Sequence, residues 1–249
     1  PLLDPLGKPN QIDSKSLENI NQNLSPVADA IKLTKSSLPK ETALIGFAGA
    51  PWTLITYIAE GRSSRDFSKA RLWAWEEKKA LDELIEILVE ATISFLSLQA
   101  EAGAECLMLF DSWASVVPAT QRDWLVINPT RDIINGVRRR GYSQPIIGFP
   151  KGLGDGLIKY AVEAGVDGLG LDHGVDPFWA NKYLPKKLPV QGNLDPLSLL
   201  SADYSMLDSI DQILEAFYDR PHIFNLGHGI TPNTPIENVQ LMIDHIRNR

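Results

Sequence analysis

The chain has 249 residues, of which 44% are apolar and 22% charged, with a formal net charge of −7. Its length matches one (β/α)8 barrel, and its composition is that of a globular domain with a sizeable core. The acidic balance excludes broad nucleic-acid binding, the single Cys106 excludes an intramolecular disulfide and a thiolate metal cluster, and no run reaches the roughly 18 apolar residues of a membrane helix.

Residues 1–24 are polar and rich in Asn, Ser, Gln and Pro, which predicts a connector. The chain begins Pro-Leu-Leu-Asp without an initiator Met, so the sequence reads as starting inside a longer protein. No secretory signal is visible, and a reducing cytoplasm is the expected compartment. Ser25-Pro26 opens a helix with the apolar face Val27, Ala30, Ile31, ending before Pro39.

The apolar run Ala43–Gly49 predicts a strand, and Ala50-Pro51-Trp52 then opens a short helix closed by Gly61. The longest helical pattern runs through Leu81, Leu84, Ile85, Leu88, Thr92, Phe95 and Gln99 to Ala102 and Gly103. Cys106–Ser112 is the next strand, with Cys106 packed in it. A helix from Asn128-Pro129 ends at Gly141. Arg138-Arg139-Arg140 belongs to its last turn, where cations complement the helix dipole.

Further strands are read at Pro145–Pro150, Gly168–His173, Pro189–Pro196 and Ile223–Ile230. Helices are expected before Gly165 and over about 203–217. Thr234-Pro235-Ile236-Glu237 reads as a capping box for a last helix with the core face Val239, Met242, Ile243, Ile246.

Six buried strands alternate with helices, and each ends in a small polar cluster. Polar residues after every strand favour an α/β (β/α)8 TIM barrel over an open sheet, which would concentrate them at one switch point. Gly152-Leu153-Gly154 lacks the spacing of a dinucleotide fingerprint. The chain is read as a single catalytic domain, with six βα units from about residue 43 to the C-terminus.

Five places could carry chemistry. The turn Gly49-Ala50-Pro51 puts small residues at a helix N-terminus, where N–H groups can meet an anion. Tyr57 offers an O–H donor and acceptor. Ser112 follows Asp111 but lacks a nucleophile elbow, so hydrogen bonding suits it better than nucleophilic attack. His228 is flanked by Gly227 and Gly229 and can meet a carboxylate or move a proton. Asp111, Asp172 and Asp195 could meet around Mg²⁺, or equally accept loop N–H groups. No metal-ligand spacing of His and Cys occurs, so no metal is expected.

The strings LIGFAGAPWTLITYIAEG (44–61), FDSWA (110–114), FPKGLG (149–154), GLD (170–172), QGNLDP (191–196) and NLGHG (225–229) together resemble the uroporphyrinogen decarboxylase family. The resemblance implies a (β/α)8 barrel and a cytosolic homodimer. It also implies a cofactor-free enzyme that turns the four acetate side chains of uroporphyrinogen III into methyls, giving coproporphyrinogen III and CO2. Carried over, Tyr57 contacts the substrate, Ser112 is the family's serine or threonine, His228 lies near a propionate, and Phe47 is an apolar wall.

The family's aspartate and arginines belong to an RQAGRY-type segment and an FSD-type strand end, and neither string occurs in these 249 residues. They are expected upstream of Pro1, with the first two barrel strands. His173 stands where the family usually has Trp, and Ser115 where Gly is common. Asp111, Asp172 and Asp195 at strand ends, against Lys151, would repel a polyanionic substrate. Uroporphyrinogen should therefore bind and react poorly with these 249 residues alone. Normal rates of coproporphyrinogen formation by them would overturn that expectation. Two other readings are a cobamide-linked methyltransferase, which one cysteine opposes, and a catalytically incompetent fragment or paralogue acting as a binding or dimerisation partner.

Overall fold

The computed structural model describes residues 3–249, which fall into two compact units, the first extending to Val166 and the second covering Asp167–Arg249. Both are α/β, and together they contain six strands.

In the first unit, 3-10 turns at Pro9–Gln11 and Ser14–Leu17 and the short helix α1 (Ile20–Asn23) occupy the segment read as a connector. α2 (Ser25–Ser37) starts with Pro26 in its first turn, as expected. β1 (Ile45–Gly49), β2 (Cys106–Asp111) and β3 (Ile146–Pro150) pair in parallel, with Gly49 beside Phe110 and Phe110 beside Phe149. α3 (Pro51–Glu60) leaves β1 through Ala50 and stops at Gly61, whose φ of 74° is left-handed. α4 (Ser68–Glu76), α5 (Lys78–Ala102), α6 (Asn128–Arg139) and α7 (Gly156–Glu163) complete the unit. No clear sequence stripe marks α4, whose apolar residues lie between charged neighbours.

Met108, Ile147 and Phe149, with Cys106 and Phe110 beside them, make an apolar cluster on one face of this sheet. α5, in which Leu81, Leu84, Ile85 and Leu88 are buried, brings Gln99 to β1. The Gln99 amide brackets Phe47: its Oε1 accepts the Phe47 N–H and its Nε2 donates to the Phe47 carbonyl, both at 2.9 Å. Gly46 makes room, since a Cβ there would lie 2.7 Å from Gln99 Oε1. Gln99→Ala is expected to lower stability by about 2 kcal/mol by stranding both backbone groups. Faster hydrogen exchange at the Phe47 amide than at its β1 neighbours would report it.

The arginine run behaves as expected. Arg138 Nη1 donates to the carbonyls of Tyr142 (3.0 Å) and Gln144 (2.8 Å), and Arg140 pairs with Glu90.

In the second unit, β4 (Gly168–Gly170), β5 (Val190–Gln191) and β6 (His222–Ile223) also pair in parallel. The helices are α8 (Pro177–Tyr183), α9 (Pro196–Ser201), α10 (Tyr204–Ala216) and α11 (Ile236–Arg247). α8 and α9 open alike: Asp176 accepts the Trp179 N–H at 2.7 Å, Asp195 accepts the Leu197 N–H at 3.0 Å, and a proline follows each cap.

Two expectations need correction here. The last strand is His222–Ile223, not 223–230, and among the described residues beyond it Leu226 makes an isolated bridge to Leu194. Asn225 and two glycines break the regular extended path. The proposed capping box also does not form. Pro235 is the N-cap residue of α11 without a side-chain cap, and the Thr234 hydroxyl bonds that of Thr231 at 2.8 Å. Among the described residues no helix is long and apolar enough to cross a membrane.

Candidate active site

The strand ends of the first unit bring together most of the residues singled out by sequence. Phe47, Phe110 and Phe149 form a row across β1, β2 and β3, edge-to-face at 5.8 and 5.7 Å between ring centroids. Phe149 is buried at one end, while Phe47 is 60% exposed at the other. Exposing a large ring on a strand is unusual for a packed core and suits an apolar wall for a ligand.

Tyr57 lies half-buried on α3, its ring 6.5 Å from that of Trp113. Trp113 in turn packs on Phe67 at 4.5 Å. Ser112 sits between Asp111 and Trp113, half-buried. The turn from β1 into α3 is tied to the end of β2 by the Ala50 N–H to the Phe110 carbonyl (2.7 Å) and the Trp52 indole N–H to the Trp113 carbonyl (3.1 Å). The end of β2 thus carries Ser112 and is tied to α3, which carries Tyr57, while Phe47 stands in the middle of β1 against Phe110.

Asp111 departs from the expectation of an acidic strand end that repels a polyanion. It is 2% exposed and takes the Thr53 hydroxyl on Oδ1 at 2.7 Å. Burial pushes its carboxyl up to about 7, against the smaller opposing effect of the hydroxyl and backbone N–H of Thr53. It therefore contributes less negative charge to the strand ends than its residue type suggests. Its partner is 58 positions away in sequence, so only the fold reveals the pair.

In the second unit, Asp172 accepts the Gly174 N–H on Oδ1 at 2.9 Å and Asp195 caps α9. These two carboxylates follow the loop-accepting alternative. Among the described residues, no group of three His, Cys, Asp or Glu side chains could hold a metal ion.

His228 lies exposed in the loop after β6, not at a strand end. Gly227 before it is buried against the backbone of His173: a Cβ at 227 would stand 2.2 Å from the His173 nitrogen. The glycine on the N-terminal side of His228 is thus required by close backbone approach, and it fixes where the His228 loop runs. His222, which sequence passed over, is partly buried with Nε2 2.7 Å from the Gly192 carbonyl, and burial holds its imidazole below the usual range. Arg220 is also buried, donating to the carbonyls of Pro185 and Leu188 at 2.9 and 2.7 Å. Both serve the fold.

Parallel strands joined by helices, with small polar clusters after the strands, define an α/β enzyme of the (β/α)8-barrel class. A solved methyltransferase from Methanosarcina mazei is similar at TM-score 0.76 and 18% identity, over 89% of this chain and 63% of that one, which supports the fold alone. The family model for uroporphyrinogen decarboxylase (URO-D) matches residues 3–249. Proteins called uroporphyrinogen decarboxylase are similar in Sphingopyxis alaskensis (47% identity, 93% of this chain and 68% of the relative), Maricaulis maris (43%, 100% and 72%) and Rhodospirillum rubrum (42%, 99% and 71%). The chain belongs to the uroporphyrinogen decarboxylase family, a family of carboxy-lyases.

Proposed function

We propose that this chain takes part in the decarboxylation of the four acetate side chains of uroporphyrinogen III to methyls, yielding coproporphyrinogen III and CO2 in porphyrin and haem synthesis. The observation that carries the reading is the family match, which covers residues 3–249 and includes both units. The chemistry asks the protein to orient a macrocycle and to exclude water, because a protonated pyrrole ring itself accepts the electrons released with CO2. The exposed Phe47 end of the edge-to-face Phe47–Phe110–Phe149 row supports an apolar contact for such a ring.

We assign Tyr57 and Ser112 as hydrogen-bonding partners of the substrate, Phe47 as part of its apolar wall, and His228 as a partner for a propionate carboxylate. The protein works without a cofactor, in the cytoplasm, as a homodimer.

An anaerobic assay of the protein as the cell makes it with uroporphyrinogen III, followed by oxidation and separation of the porphyrins, tests this. Coproporphyrinogen III is the expected product. Tight uroporphyrin binding without turnover would instead favour the role of a binding partner. Tyr57→Phe should lower kcat/KM about tenfold, the worth of one neutral hydrogen bond, with an unchanged melting temperature.

A further inference from the structure

Asp111 stands one residue before Ser112 and is bonded to the helix that carries Tyr57. Thr53 lies in the first turn of α3, and Tyr57 lies four residues on, on the same side of that helix. The Thr53 hydroxyl donates to Asp111 Oδ1 at 2.7 Å, with Thr53 6% and Asp111 2% exposed. The Ala50 main-chain tie and the Trp52 indole tie already described fix how far α3 stands from the end of β2. The Thr53–Asp111 bond adds a second side-chain tie, one residue further on, that helps to fix the rotation of α3 about its axis.

Packing alone does not call for this pair. An apolar side chain at each position would fill the space without the cost of burying a carboxyl. Among the described residues Asp111 Oδ2 is moreover buried with no hydrogen-bond partner, a cost that the fold tolerates. In some proteins a buried polar pair kept at such a cost serves to specify one geometry.

We propose that Asp111, acting through Thr53, is a positioning residue that holds Tyr57 and Ser112 at a fixed separation without itself touching substrate. The proposal rests on the decarboxylase reading above.

The test uses Thr53→Val, Thr53→Ser, Asp111→Ala and the Val/Ala double variant, in the protein as the cell makes it. Steady-state kinetics and near-ultraviolet circular dichroism are both read. Thr53→Val keeps the shape and removes the hydroxyl. It should lower kcat about 30-fold with KM within about threefold, because small misplacements act mainly on the transition state. Thr53→Ser should restore kcat to within about threefold of wild type. Asp111→Ala should match Thr53→Val, and the double variant should be no worse than Asp111→Ala, because both remove one interaction.

The near-ultraviolet spectrum, which includes the Tyr57–Trp113 contact, should change in Thr53→Val and not in Thr53→Ser. Wild-type kcat in Thr53→Val, failure of Ser to rescue, or losses that multiply would overturn the proposal. A wild type that makes no coproporphyrinogen ends the decarboxylase reading instead. The spectral contrast between Val and Ser then still decides the pair: present, it supports positioning; absent, it overturns it. Should Asp111→Ala fail to fold, the Thr53 contrast decides alone.

Discussion

Unfolding in urea at a series of pH values should show Asp111→Asn overtaking wild type as pH rises from about 4 to about 7. The folded Asp111 carboxyl is raised to about 7 by burial, whereas an unfolded aspartate titrates near 4. The native state therefore holds this proton more tightly than the unfolded chain, and stability falls with rising pH across that window. Below about pH 4 both states are protonated and the group has no effect. Above about pH 7 both are ionised and the loss is complete. Three pKa units correspond to about 4 kcal/mol, a large fraction of the stability of a domain. Asn at 111 removes the titration while keeping an acceptor for Thr53. The difference between wild type and variant isolates this group from His222, whose lowered pKa acts with the opposite sign. A wild-type curve parallel to that of Asp111→Asn between pH 4 and 7 would contradict the buried, raised carboxyl.

Gly227→Ala should cost about 3 kcal/mol and displace the His228 loop. The added methyl would sit 2.2 Å from the His173 nitrogen, 2.8 Å from its Cα and 2.9 Å from the Asp172 carbonyl carbon. All three are backbone atoms, so no side chain can swing aside, and overpacking of this kind lies at or above the upper end of its usual range. Gly229→Ala is the matched control, because nothing lies within 4 Å of its Cβ position. Both substitutions flank His228, so any loss of activity confined to Gly227→Ala comes from loop position. Denaturant midpoints and kcat/KM for the two variants check this, and equal stability of the pair would refute it.

The periodicity of the first unit was legible because its strands are five or six residues long and its helices carry clear stops such as Gly61 and Gly103. The second unit was harder. β5 and β6 pair over two residues each, so hydrophobic runs such as Ile223–Ile230 contain more loop than strand. The Asp-Pro starts of α8 and α9 were present in the sequence as capping signals and could have been read at 176–177 and 195–196. The capping box at 234–237 shows the converse, since a matching pattern did not form the bonds that give it meaning. For the candidate site, residue types singled out Tyr57, Ser112 and His228, and the family resemblance added Phe47. They could not show that Asp111 turns into the protein, since strand parity and the distant Thr53 decide that together.

The Gln99 bracket bears on how β1 pairs. Ala50 donates to Phe110 across β1 and β2, so by alternation Phe47 presents its N–H and C=O on the opposite edge of β1. The buried amide of Gln99 occupies both groups at the middle of the strand, so any strand that pairs along this edge must first displace a side chain anchored in α5. Gln99 thus sets a threshold for strand pairing on that side of β1, which hydrogen exchange at the Phe47 amide would read.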